Sequence, residues 1–94
     1  MNQDPSESLS AREQEIWRET IGLIPEWDPL FTFPLERYCY YRWQVEQLDA
    51  KLSDKTLDPE TTRICQEMRE TNMRTASDLA IKLSLAPASR SELN

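Results

Sequence analysis

Apolar positions along the chain fall into three helical stretches separated by breaks that contain proline or a short polar turn. In the first stretch Ile16, Trp17, Thr20, Ile21 and Ile24 recur at spacings of one to four, which places them on one face of an α-helix. Ser10 followed by Glu13 fits a capping box and Pro25 marks a stop, so a helix is expected over residues 10–24. Glu13, Glu15, Arg18 and Glu19 are expected to fill its other sides. The second stretch is apolar on two sides at once. Tyr38, Tyr41, Val45, Leu48 and Leu52 form a narrow seam near heptad spacing, while Leu35, Cys39 and Trp43, with Tyr40 at the margin, lie on another side. Thr32 suits an N-cap and Pro34 a first turn, which predicts a helix over residues 33–52. One partner helix cannot cover both sides. The second needs either the first helix or a neighbouring subunit.

The third stretch has the clearest start and stop. Asp58 and Pro59 are a capping acid followed by a proline at the first helical position, and Pro87 prevents continuation, so the expected helix covers residues 59–85. At 1.5 Å per residue it spans about 40 Å, too long for a compact chain of this size to cover alone. Ile64, Cys65, Met68, Asn72, Thr75, Ala76, Leu79 and Leu83 share one side of it. Thr71, Asn72 and Thr75 interrupt that side with polar groups, which fits either a register-fixing device or a simple solvent gap. The short turn Ser53–Leu57 makes the second and third helices antiparallel neighbours. The expected fold is all-α: an antiparallel helical hairpin with an additional N-terminal helix, assembling into a ring-like oligomer. Residues 1–9 are read as a disordered start and residues 10–94 as one helical domain. The hairpin and oligomer contacts are assigned to Tyr38, Tyr41, Trp43, Val45, Leu48, Met68, Asn72, Leu79 and Leu83.

The connector at residues 25–34 holds three prolines, yet it also carries Trp27, Leu30, Phe31 and Phe33. Packing of these side chains over the helix ends is the favoured reading, and a sticky intersubunit surface is the sharper one. Trp17 is read as a core anchor rather than a stacking platform.

Composition narrows the chemistry. The 94 residues include one glycine, Gly22, and no histidine, which removes histidine-dependent triads, common zinc sites and histidine acid–base catalysis. Cys39 and Cys65 lack metal-ligand spacing and read as buried free thiols. No enzyme activity and no cofactor are expected, because neither a phosphate-binding glycine loop nor a clustered carboxylate motif is present. No stretch approaches the roughly 20 apolar residues of a membrane span, and no secretory signal follows Met1. The net charge of −6 is unevenly spread. Residues 1–28 hold seven acids and two bases, whereas the remaining chain is nearly balanced with ten acids and nine bases. On the third helix Glu70 with Arg74 and Asp78 with Lys82 have the better i,i+4 orientation, and Arg63 with Glu67 the poorer one. Arg69 and Arg90 have no such neighbour. They join Arg37 and Arg42 as candidate contacts to DNA or a protein partner. The aromatic run at residues 37–43 would also suit base stacking, but Glu36 and Glu46 flank its two arginines.

The segment LSLAPASR at residues 83–90 resembles the Leu-Gly-Leu-Thr-Pro-Ser-Ser-Arg-like ending of one branch of phage small terminase subunits, with Leu83, Leu85, Pro87, Ser89 and Arg90 matching. AREQEIWRETIGLIP is similar to that family's first helix, and TFPLERYCYYRW, with Tyr38-Cys39 and Trp43, to its second. The chain departs from the pattern at three points. Ser84 stands where the family has glycine, and the loop at residues 53–57 is shorter, leading into Asp58-Pro59 in place of Asn-Pro. The chain is also acidic, with no helix-turn-helix module and no basic tail. The resemblance implies a non-catalytic packaging protein in the host cytoplasm. Its implied partners are copies of itself in a ring, viral double-stranded DNA, and the large terminase subunit that carries the ATPase and nuclease. A second reading, from the front-loaded acidity, is an acidic helical adaptor that binds a packaging protein and not DNA.

Overall fold

A computed structural model describes residues 4–85. Among these residues the regular structure is entirely helical, in the order α1 (Ala11–Ile21), a 3-10 turn (Pro29–Phe31), α2 (Thr32–Leu52) and α3 (Pro59–Lys82). No helix among them is long and apolar enough to cross a membrane. The Pro87, Ser89 and Arg90 matches lie outside the described residues.

Each helix start has a local cause. At α1 the Ser10 hydroxyl accepts from the Glu13 amide at 3.2 Å, and the Glu13 carboxylate accepts from the Ser10 amide at 2.9 Å, which completes the capping box. At α3 the Asp58 carboxylate accepts from the Thr61 amide at 2.6 Å, with Pro59 at a position that has no helical partner for an N–H. The start of α2 differs from the expectation. Thr32 is already helical and makes no cap. Asp28 instead caps the preceding 3-10 turn, accepting from the Leu30 amide at 2.9 Å, so that turn runs directly into α2.

Two helices stop three residues short of the expected boundary. The α1 helix ends at Ile21 and tightens into i→i−3 bonds at Leu23 and Ile24, before Pro25 is reached. The α3 helix ends at Lys82. There Ser84 takes φ 60°, its amide donates to the Ile81 carbonyl at 3.0 Å, and the Leu85 amide donates to the Ala80 carbonyl at 2.8 Å. This pair of bonds is a Schellman motif, with serine in the left-handed position that glycine fills at least cost.

The reversal at Ser84 decides where the chain goes next. Leu83 is fully buried with Ile16, Trp17, Ile24, Leu35 and Cys39, and Leu85 packs against the same cluster. The α1 and α2 helices pack together, as do α2 and α3, whereas α1 and α3 share no packed length. Leu83 and Leu85 therefore bring the end of α3 into the core shared by α1 and α2. Around that core Trp27 stands edge-on to Trp17 at 6.0 Å and to Phe31 at 6.1 Å. The connector thus divides: Trp27 and Phe31 pack, while Leu30 and Phe33 stay exposed. Residues 4–9 form a turn closed by a Leu9 amide to Ser6 carbonyl bond, and Leu9 rests on the cluster.

The side of α2 holding Leu35, Cys39 and Trp43 belongs to this α1 cluster, so the first helix supplies the cover that one partner could not. Val45 and Leu48, with Cys65, Ala76 and Leu79, are buried too. Glu13 departs from the sequence expectation of an outward face. It is buried at 7% exposure, with its carboxylate turned back onto the Ser10 amide.

Two substitutions test the α3 stop. Replacing Ser84 by Gly relieves the left-handed strain and is expected to raise stability by about 0.5–1 kcal/mol, a shift of roughly 2–8 °C in thermal midpoint. Leu83→Ala is expected to cost about 2–5 kcal/mol through lost burial and the cavity left behind. Thermal melts followed by circular dichroism read both.

Candidate interaction surfaces

A groove of about 370 Å³ lies between α2 and α3. Tyr38, Val45, Met73, Ala76 and Ala80 supply its apolar lining, and Arg42, Glu46, Asp49 and Arg69 its charges. Alanine at 76 and 80 keeps the α3 wall low, which is why a groove forms there at all. Its charges are largely committed. The Arg69 guanidinium bonds the Asp49 carboxylate across the two helices, which holds Arg69 protonated above its ordinary range. Arg12 of α1 forms a fork on Glu46, with Nε to Oε1 at 2.9 Å and Nη2 to Oε2 at 2.7 Å. That bond depresses the Glu46 pKa, and Arg12 also reaches Glu15 at 3.2 Å and Glu19 at 3.6 Å.

Arg42 and Arg37 are different. The Arg42 Nη1 donates to the Tyr38 hydroxyl at 2.7 Å with its guanidinium 5.6 Å from the ring centre. The Arg37 Nη2 donates to the Tyr41 hydroxyl at 2.8 Å, and its guanidinium lies 5.3 Å from the Tyr41 ring and 5.6 Å from that of Phe33. Neither has a carboxylate within ion-pair distance among the described residues. Aromatic rings hold each side chain along the helix while its charge stays available.

The four arginines proposed from sequence thus separate. Arg42 and Arg69 share the groove, with Arg69 neutralised; Arg37 lies outside the residues that line it; Arg90 lies outside the described residues. Of the proposed contact residues, Val45, Leu48, Leu79 and Leu83 are buried, and Tyr38 and Trp43 lean on the α1 cluster. Asn72 is partly covered and Met68 is exposed; both border a shallow concavity on α3. The Tyr41 ring stands edge-on to Tyr40 at 5.2 Å.

Sequence spacing alone missed the Asp49–Arg69 and Glu46–Arg12 pairs because both join different helices. It also favoured Glu70–Arg74 and Asp78–Lys82, neither of which closes in the structure. Arg63 instead bonds both Glu67 and Glu60 at 2.9 Å. All of these pairs are surface features, where holding two long side chains together offsets most of the attraction.

The thiols carry no chemistry toward solvent. Cys39 and Cys65 are free and buried. Burial first, and then the nearby Glu13 carboxylate, pushes the Cys39 thiol up to about 12.

No family model, curated protein or solved structure matches this chain.

Two measurements follow from this geometry. Because folding lowers the Glu46 pKa, the unfolded chain takes up its proton first as pH falls below about 4.5. The stabilisation is present above that value and is lost as pH drops through the folded-state pKa. Glu46→Gln is expected to be less stable than the parent at pH 7 and to show a flatter stability profile between about pH 5 and pH 3. Urea titrations across that range read the difference, and an unchanged acid limb counts against the Arg12–Glu46 linkage. Both cysteines are expected to stay unmodified by a disulfide reagent at pH 8 and to react fully in denaturant.

Proposed function

We propose that the chain is a small terminase subunit of a tailed double-stranded DNA phage. It is non-catalytic, acts in the host cytoplasm, and assembles as a ring of antiparallel α2–α3 hairpins. The ring engages viral DNA and hands it to the large subunit that carries the ATPase and nuclease.

The observation that carries this reading is the end of α3. The resemblance aligns Ser84 with the glycine of a Leu-Gly-Leu tail, and Ser84 adopts the left-handed conformation for which glycine is the usual choice. Leu83 and Leu85, its matching flanks, both face the core. The first-helix and second-helix segments that contribute to the resemblance supply Trp17, Cys39 and Trp43 to that same cluster. A tail with this conformational demand and this burial is harder to match by chance than a string of letters.

Charge supports a second reading, the acidic adaptor that meets a packaging protein without touching DNA. Arg12 and Arg69, two of the bases available for phosphate, are occupied by carboxylates of the same chain. Arg37 and Arg42 remain for an anionic partner.

The test is co-purification with the large subunit together with binding to duplex DNA at two salt concentrations. The expected result is a complex with both, the DNA affinity falling steeply between about 50 and 200 mM salt. Arg42→Ala is expected to weaken DNA binding at all sequences and to reduce the salt slope by about 0.9. Capture of the large subunit with no DNA binding at the lower salt selects the adaptor. Failure to bind either removes the terminase reading.

A further inference from the structure

The groove between α2 and α3 has two matched walls. One runs from Tyr38 to Asp49 and the other from Arg69 to Ala80, and each takes residues i, i+4, i+7, i+8 and i+11 of its helix. At 1.5 Å per residue the groove is about 16 Å long, or roughly three helical turns. Val45 and Ala76 are buried at its base, while Met73 is 38% exposed. Low side chains at Ala76, Ser77 and Ala80 let another backbone come close to α3. Methionine beside them is a flexible apolar surface that adapts to what it meets.

The two ends of the groove differ in charge. Asp49, last on the α2 wall, is bonded to Arg69, first on the α3 wall, so that end is shut and neutral. In the middle Glu46 gives its two oxygens to the Arg12 fork. Towards the other end stands Arg42, held against Tyr38 by one bond from Nη1 to the hydroxyl. Among the described residues no carboxylate lies within ion-pair distance of it. A guanidinium has five N–H donors in a planar fork suited to a carboxylate. The groove therefore has apolar walls, one closed end, and one uncommitted cation towards its open end.

We propose that this groove receives an amphipathic helix of a different protein, with an apolar inner stripe about three turns long and one carboxylate at the end of the stripe that meets Arg42. A helix fits because it satisfies its own backbone groups, whereas an extended segment would lay unpaired N–H and C=O groups on apolar walls. A single carboxylate fits because one cation is uncommitted. A duplex brings a phosphate charge about every 1.7 Å, and along the groove it would meet Glu46 and Asp49. DNA can reach Arg42 from the rim, but the apolar floor is suited to a protein. The inference rests on neither DNA binding nor the large subunit, since the occupant is defined by its chemistry alone.

Methyl NMR of the full chain with labelled methionines tests it, because Met73 lines the groove while Met68 borders the other concavity on α3. The probe is a helical peptide of about 18 residues, long enough to hold its own structure. It carries a leucine–alanine stripe, lysines on its outer side and one glutamate at the end of the stripe; a second peptide has glutamine there. The glutamate peptide is expected to shift the Met73 methyl and leave Met68 in place, and the glutamine peptide to bind about tenfold more weakly. In Arg42→Gln the two peptides should bind alike within about twofold, which isolates the Arg42–carboxylate contact. Ala80→Leu fills the groove and should abolish binding; if circular dichroism shows that it melts early, Ser77→Leu replaces it. No shift at Met73, equal binding of the two peptides to the parent, or duplex DNA moving the Met73 methyl where the peptide does not overturns the proposal. So does a fall in the mass of the parent's own assembly on Ala80→Leu, since another copy then fills the groove. Peptide binding as expected without DNA or large-subunit binding leaves the proposal standing and removes the terminase reading; both of those without peptide binding remove the proposal alone.

Discussion

Seating Leu83 between α1 and α2 is the contact on which the rest of the structure depends. The α3 helix is held along its length by α2 alone, and it reaches α1 only where the chain reverses at Ser84. Leu83 and Leu85 then enter the cluster formed by Ile16, Trp17, Leu35 and Cys39. Without that reversal α3 would continue past the core into water, and the cluster would lack its cover at one end. A left-handed serine costs on the order of 1 kcal/mol, while burying one leucine returns roughly 1.5–3 kcal/mol. The strain is therefore sustained by packing, and the glycine content of the chain reflects this. Gly22 has a right-handed conformation that any residue adopts, and the one described residue with positive φ is a serine.

The parts of this arrangement that were legible in the sequence are those set by neighbours three or four residues apart. The Ser10–Glu13 box and the Asp58–Pro59 start depend on a single helical turn, and both form. Heptad-like spacing marked Val45 and Leu48 as buried, and Cys39 with Leu35 as a second apolar side. What could not be read depends on chain path. The α1 and α3 stops precede Pro25 and Pro87 because turn hydrogen bonds and core contacts end the helices before the prolines do. Proline shows where a helix cannot continue; it does not show where packing ends it earlier. The fate of each arginine was hidden for the same reason, since the acids that neutralise Arg12 and Arg69 are 34 and 20 residues away.

These long-range pairs change the meaning of the composition. A chain of net charge −6 has few bases to spare, and the fold commits two of them to bracing α2 against its neighbours on both sides. Arg12–Glu46 joins α1 to α2, and Asp49–Arg69 joins α2 to α3, only three residues apart along α2. Each is too exposed to contribute much stability alone. Their value is positional: a fork on Glu46 admits few relative placements of α1, and so helps fix which side of α2 the first helix takes.

That choice explains why α2 carries apolar residues nearly all the way round. A helix facing one partner needs a single stripe of about 100°, and a residue outside the stripe gains nothing from being apolar. In α2, Leu35, Cys39 and Trp43 answer to α1, and Val45 and Leu48 to α3. Phe33 and Tyr40 answer to neither. Single exposed aromatics on a surface require no explanation, but these two flank an arginine whose guanidinium lies over Phe33 and Tyr41, with no carboxylate within ion-pair distance among the described residues. Stacking of this kind removes part of the water from a cation without giving it a counter-charge. The sequence of α2 thus provides three apolar sides, of which α1 and α3 cover two and the one with Phe33 and Tyr40 stays exposed.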